Sequence, residues 1–259
     1  MEGDPEPKKL SVITVVFNGA DTIETTIQSV VNPKHPDVEY IVVDGGSNDG
    51  TLEFIQDSGD LVDTWVSDRD KGLYDAMNKG MLLAKGEFIW FINSGDQIYD
   101  NQTIEKLIPS LNEETDIVYG EVMIIDNDKQ PLGTRSELTV HKLPDVLIWQ
   151  SMQYGMNVCH QGFIVRKKIA PLYRLDNLCA DIEWVIECLK NSRKNVKLDF
   201  LFAKYLAGGL SKKKWQQSMI DRFLVLKKYF GLNKTIWSHF VIIFRALWHK
   251  LNNIGKQTY

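Results

Sequence analysis

The chain has 259 residues, 44% hydrophobic and 25% charged, with 8 Pro and 18 Gly. This is the make-up of a folded globular protein, and it excludes a disordered, collagen-like or disulfide-framed chain. The net charge of −4 conceals two unlike parts: residues 211–259 hold ten Lys/Arg and one acid, +9, which leaves −13 for residues 1–210. The acidic body argues against a nucleic-acid partner, and the basic tail points toward an anionic one.

Three cysteines, Cys159, Cys179 and Cys188, are odd in number and lack CxxC spacing, so reduced, inert thiols are expected. The opening MEGDPEPKK is acidic and Pro-containing, unlike a signal peptide, and the expected location is cytoplasmic.

In chain order, residues 10–17 (LSVITVVF) form a β-branched run expected to be a central strand, ended by Asn18-Gly19. Asp21 and Glu24 have the spacing of a helix start, followed by Ile23, Ile27, Val30 and Val31 on one face. Residues 40–43 are a second strand, leading into Asp44-Gly45-Gly46-Ser47-Asn48-Asp49-Gly50 and a helix from about Thr51; strand, helix, strand is a βαβ unit. Residues 62–66 are a third strand, before Ser67-Asp68-Arg69-Asp70. Leu73, Met77, Gly80 and Met81 recur at helical spacing, and residues 88–92 are an apolar run of strand length that exits through Asn93-Ser94-Gly95-Asp96. So apolar a strand is covered on both faces, as in a mostly parallel sheet with helices above and below.

Ligands of open α/β sheets bind beyond the carboxyl ends of the strands. Three strands deliver an acid there: Asp44, Asp68 and Asp96. An acidic rim suits a hydroxyl-rich or metal-bound ligand, because Mg²⁺ and Mn²⁺ bind through one or two carboxylates plus substrate phosphates. DGGSNDG is not GxGxxG, and no GK[ST] occurs, so a P-loop is rejected and an ordinary dinucleotide site is discounted.

Four pieces in fixed order carry a family resemblance: residues 11–31, EYIVVDGGSNDGT, SDRDKGLYDAMNKGMLLAKGEF and FINSGD. Over residues 10–125 the chain resembles the nucleotide-binding half of family 2 glycosyltransferases, most of all the bacterial branch that builds surface polysaccharides. Cys159-His160-Gln161, Cys179-Ala180-Asp181 and Gly208-Gly209-Leu210-Ser211 resemble that branch more weakly. The resemblance implies a GT-A fold, a nucleotide-diphosphate sugar donor and a divalent metal, Mn²⁺ or Mg²⁺. It places Asp44 and Asp68 against the nucleobase or ribose and Asp96 at the metal, with Asn18, Lys71 and Asn93 lining the donor site. The chain departs from the family's Asp-x-Asp motif, with Asn93 and Ser94 where another carboxylate is often found.

Residues 116–125 are a further strand, with a solvated turn at Asp126 to Asp128. The less periodic stretch 134–160, with Trp149, Met152, Tyr154 and Met156, takes the acceptor side. His160 precedes a short strand at 162–165; it is either structural or orients acceptor or phosphate. Asp181 opens a helix carrying Ile182, Val185, Ile186 and Leu189, and reads alone as an N-cap. Inverting transfer needs a carboxylate to take the acceptor's proton from the side opposite the leaving diphosphate. Asp181 aligns with the family's base, with Glu183 as local competitor. Residues 196–206 are a last strand, followed by a Gly-rich loop suited to closing over the donor.

In the tail, Trp215, Met219, Phe223, Leu226 and Phe230 share one helical face, ended by Gly231. Residues 235–251 are strongly apolar but short for a bilayer span, with Ser238, Arg245, His249 and Lys250 on one side. Three readings stand: an interfacial helix on an anionic membrane, a helix pair docked on the domain, or a homodimer seam. The expected organisation is a GT-A domain at 1–210, donor half 10–125 and acceptor half 126–210, followed by a basic helical tail at 211–259. The expected activity is inverting sugar transfer to a saccharide acceptor, lipid-linked, in surface polysaccharide synthesis. A sugar-nucleotide nucleotidyltransferase would need a basic Gly-rich loop after the first strand, which Asn18-Gly19-Ala20 does not supply. A non-catalytic sugar-binding protein is the third class.

Overall fold

The computed structural model describes residues 8–33, 35–208 and 215–252. Within them, nine strands form one sheet in the order β3-β2-β1-β4-β8-β6-β9-β5, with β7 joined to β6. β1 (Leu10–Val16) lies parallel between β2 (Val38–Asp44) and β4 (Phe88–Phe91), and β3 (Thr64–Ser67) runs parallel to β2 at the edge. Successive side chains of a strand point to opposite faces. Ile13, Val15, Ile41 and Val43 therefore pack under Ala76, Met77 and Met81, while Leu10, Val12, Val16 and Val42 pack over Ile23, Ile27, Val30 and Ile55. The first cover is α3 (Leu73–Leu83); the second is α1 (Ala20–Val31) with α2 (Thr51–Asp57). Both faces being dry, these strands read as unbroken apolar runs.

One local expectation shifts. α1 begins at Ala20, and neither Asp21 nor Glu24 closes its end, since Gly19 is the N-cap. The free N–H groups are instead met from the next loop: Asp49 Oδ2 accepts from Ala20 N at 3.1 Å and Thr51 Oγ1 from Gly19 N at 2.9 Å. The β1 and β2 exits are thereby fastened together.

The second half of the sheet is mixed. After the short α4 (Thr103–Leu107), β6 (Ile117–Ile125) turns back through a hairpin into β7 (Pro131–Thr134) and then α5 (Arg135–Leu138). β8 (Phe163–Arg166) inserts antiparallel between β4 and β6; β9 (Asn195–Leu206) runs parallel to β6, and β5 (Gln97–Ile98) pairs antiparallel with β9. Arg166, only 3% exposed, closes the β4-β8-β6 seam: it meets Glu87, lies 3.4 Å from Asp116, and donates to the carbonyl of Thr115 at 3.0 Å. α6 (Ala180–Asn191) covers the same face as α3.

Two helices follow, α7 (Trp215–Phe230) and α8 (Leu232–Asn252). The buried side of α7 is rotated from the expected one: Asp221, Val225 and Leu226 face inward, while Trp215 is 59% exposed. The cause is Asp221, whose carboxylate accepts from Leu178 N at 2.8 Å and turns that side toward the domain. Phe230 stacks on Trp149, and Phe223 meets the ring of His239. Gly209, Leu210 and Ser211 of the expected closing loop, and the side chains of His249 and Lys250, lie outside the described residues.

Candidate active site

The four parallel strands all end at one edge of the sheet, and chain direction brings later elements there as well. β8 runs against β4, so it starts at that edge, just after His160 and Gln161. β9 begins level with the first residue of β6, so α6 before it runs down from the same edge, and Asp181 lies at its top. Asp44, Asp68, Asp96, His160 and Asp181 thus converge although 137 positions of chain separate the first from the last.

Asp44 is fully buried, and its carboxylate builds the loop that follows it. It accepts from Gly46 N at 3.2 Å, from Ser47 N at 3.1 Å, from the Ser47 hydroxyl, and from Ser67 Oγ at 2.6 Å. Asn18 adopts the left-handed conformation that Asn tolerates, φ 48°, and links the same loop: its N–H donates to Ser47 Oγ at 2.7 Å and its Oδ1 accepts from Asn48 N at 3.1 Å. Asp68 stands out from this wall with its side chain 71% exposed, 3.4 Å from Lys79. Lys71 is exposed, its backbone N–H held by Asp75. Asp70, not singled out from sequence, leans on Gly45, where a Cβ would collide with its carboxylate. The glycine pair after Asp44 therefore makes room for a second acid beside the first.

At the β4 exit, Gly95 adopts φ 97° with Leu206 pressed against it, so the turn tolerates no side chain. The turn directs Asp96 inward to 4% exposure. Gln161 Nε2 donates to its Oδ2 at 2.7 Å and Leu206 N to its Oδ1 at 2.9 Å. Burial pushes its pKa up to about 7, against the pull of these two donors. Asn93 Oδ1, in the same turn, is buried without a hydrogen-bond partner.

His160 is a core residue, which favours the structural one of its two expected readings. It is 8% exposed, its Nε2 is 2.6 Å from the Tyr173 hydroxyl, and its ring packs between Phe91 and Trp184. Its neighbour Gln161 holds Asp96. Tyr173 stacks on Trp184 at 4.7 Å and on Tyr74 at 5.4 Å, centroid to centroid. The Tyr74 hydroxyl lies 3.0 Å from the Leu178 carbonyl and 3.3 Å from Asp181 Oδ1. An aromatic layer thus runs from the Asp96 side to the Asp181 side.

Asp181 is not the N-cap; Cys179 holds that place, and Asp181 sits in the first turn, half-buried, with Oδ1 accepting from Ile182 N at 2.9 Å. Burial raises its proton affinity, while Ile182 N–H and the Tyr74 hydroxyl hold it back. Glu183 is committed elsewhere: it is 5% exposed and takes hydrogen bonds from Lys228 and from Tyr229 at 3.1 Å. Of the two candidate acids on α6, Asp181 alone meets no cation among the described residues. Sequence pattern missed Tyr74 and Tyr173; Tyr74 at least lay inside the conspicuous SDRDKGLYDAMNKG stretch.

Among the described residues no cluster of three or more His, Cys, Asp or Glu side chains could hold a metal by itself. The β4 exit fits the other mode, an ion bound through one carboxylate and the ligand's own phosphates. Asp96 would supply the hard oxygen, and Asn93 Oδ1 in the same turn, buried without a partner, would add a neutral donor.

A parallel βαβ half with acids at its strand ends, backed by a mixed half that brings a further carboxylate to the same edge, is the build of an enzyme that acts on an activated, hydroxyl-rich substrate. The model of "Glycosyl transferase family 2" matches residues 11–170, and the chain belongs to this family of glycosyltransferases. It is 28% identical over 191 residues, 70% of each chain, to a "PGL/p-HBAD biosynthesis glycosyltransferase" of Mycobacterium bovis. It is 31% identical over 109 residues, 41% of this chain and 43% of the other, to the "Putative teichuronic acid biosynthesis glycosyltransferase TuaG" of Bacillus subtilis. The fold is that of S. aureus TarS 1-349, solved with UDP-GlcNAc (TM-score 0.66, 17% identity, 92% of this chain and 72% of that one). It is equally that of the mannosyltransferase PcManGT of Pyrobaculum calidifontis, solved with GDP-Man and Mn²⁺ (TM-score 0.64, 13% identity, 99% and 78%). The GT-A architecture expected from the motifs is therefore the one observed.

Proposed function

We propose that this glycosyltransferase moves a sugar, with inversion, from a nucleotide-diphosphate donor to a saccharide acceptor, lipid-linked, in the assembly of a cell-surface glycan. The observation that supports the reading is that Asp96, held by Gln161, and Asp181, held by Tyr74, stand at one sheet edge joined by the His160, Tyr173 and Tyr74 rings, with no cation on Asp181 among the described residues. The donor lies along the β1 to β4 exits. Asp44 and Asn18 set the floor there, Asp68 and Asp70 meet its nucleobase or ribose, and Lys71 its phosphates or ribose. The nucleotide sugars bound by the two solved relatives, and the teichuronic acid named for the Bacillus relative, support donor and product class.

In the transfer step Asp181 takes the proton of the attacking hydroxyl as its oxygen bonds the anomeric carbon; the bond from that carbon to the diphosphate oxygen breaks, and the diphosphate leaves with the electron pair. A carboxylate whose proton affinity is raised by burial suits this role better than an exposed one. Asp96 and Asn93 would hold a divalent cation, Mn²⁺ or Mg²⁺, which when bound neutralises charge on the diphosphate. The Mn²⁺ of the Pyrobaculum enzyme supports this assignment. Tyr74 keeps the Asp181 carboxylate oriented.

Asp181→Asn tests the reading. UDP and GDP are screened by thermal shift with Mn²⁺, and nucleotide release from the matching sugar donor is followed with a lipid-linked saccharide extract as acceptor. The expected result is a rate loss of about 10²–10⁴-fold with the thermal shift retained. Turnover equal to wild type rejects Asp181 as the base.

A further inference from the structure

Helix α8 faces the wrong way for a helix that merely completes a core. The side turned to the domain is mostly polar: Thr235 and Ser238 are fully buried, Arg245 lies 5.3 Å above the Tyr154 ring, and Ile242, 8% exposed, is its apolar member. The outward side is apolar. Ile236, Trp237, Phe240, Phe244, Leu247 and Trp248 are each between 55% and 66% exposed. They recur at three- and four-residue spacing, so they form one stripe roughly 18 Å long at 1.5 Å per residue. A soluble helix buries such a stripe, and an uncovered one marks a contact surface.

We propose that this stripe docks on an anionic phospholipid surface, with α8 lying in the plane of the headgroups. Charge selects the occupant. Residues 211–259 carry +9 against −13 for the remainder, so the segment is drawn to anionic lipid while the body is held off it. Lys227 and Lys234 are exposed on either side of the α7–α8 junction, and tryptophans mark both ends of the stripe, where amphipathic rings favour the membrane–water boundary. Among the described residues no helix is long and apolar enough to cross a membrane, so the contact is superficial. A second copy is a poorer occupant, because its stripe would bring a second +9 segment against the first. The proposal is independent of the transfer mechanism and asks only what α8 touches.

The test uses the full chain, pelleted with phosphatidylcholine vesicles containing phosphatidylglycerol and with phosphatidylcholine vesicles alone. The expected result is recovery with the anionic vesicles, reversed by high salt. Trp237→Glu with Phe244→Glu should lower the bound fraction by about tenfold by removing apolar insertion, with melting temperature and the UDP or GDP thermal shift unchanged. Lys234→Ala, which leaves the stripe intact, should weaken binding about fivefold. Equal pelleting with and without lipid overturns the proposal. So does equal binding to neutral vesicles, or a dimer in light scattering that the Trp237/Phe244 substitutions dissociate.

Discussion

The parallel and mixed halves of the sheet hold their polar groups by different means. In the parallel half, Asp44 is satisfied by Gly46 and Ser47 in its own turn and by Ser67, 23 positions away in the adjacent strand exit. Where the mixed half meets it, Asp96, at the last parallel strand exit, depends on Gln161 and Leu206, 65 and 110 positions on, and Asp181 on Tyr74, 107 positions back. The first is a wall made by turn chemistry. The second exists only once the whole sheet has assembled, so substitutions there should couple stability to chemistry.

Arg166→Met should show the contrast most strongly. It leaves Asp116 without its buried cation and opens the β4-β8-β6 seam, at a cost of about 3–5 kcal/mol. Urea unfolding measures it, and a loss under 1 kcal/mol would show that the mixed half is not closed there. Asp96 sharpens the comparison through pH. Its folded pKa of about 7 lies above the ordinary 3.8, so the folded state binds the proton more tightly than the unfolded one. The resulting stability is present at low pH and lost as pH rises through about 7, up to about 4 kcal/mol in all. In metal-free buffer with a chelator, thermal melts should show wild type falling relative to Asp96→Asn between pH 4 and 8; parallel curves would contradict the buried, protonated carboxyl. Tyr74→Phe is the mildest change, about 1 kcal/mol for one hydrogen bond. Since Tyr74 restrains the proton affinity of Asp181, its loss should move the acid limb of kcat/KM to higher pH. An unmoved limb would detach Tyr74 from the base.

The distinction between near and distant partners also explains what was legible in the chain. β1, β2, β4 and α3 follow from apolar runs and helical spacing, signals contained in a dozen residues. The acids at the strand exits were visible for the same reason. The antiparallel insertion of β8, the two-residue β5 and the engagement of Asp44 by the Ser67 hydroxyl have no local signature. His160 illustrates the loss: at a strand entry beside Gln161 it leaves a structural and a ligand-orienting reading open, and only the fold shows Phe91, Tyr173 and Trp184, from three separate segments, enclosing it. On α7 the expected face turns inward at Leu226 and Phe230 but not at Trp215, and the inward turn of Asp221 is hidden because its partner, the Leu178 N–H, is distant in the chain.

The aromatic layer between Asp96 and Asp181 has an electrical consequence. Burial pulls the His160 pKa down to about 4 and pushes the Tyr74 and Tyr173 hydroxyls well above their ordinary range. Near neutrality all three rings are therefore uncharged. The layer that joins the Asp96 and Asp181 sides keeps one charge state across the neutral range. In that range these rings add no titration of their own to the pH dependence of turnover.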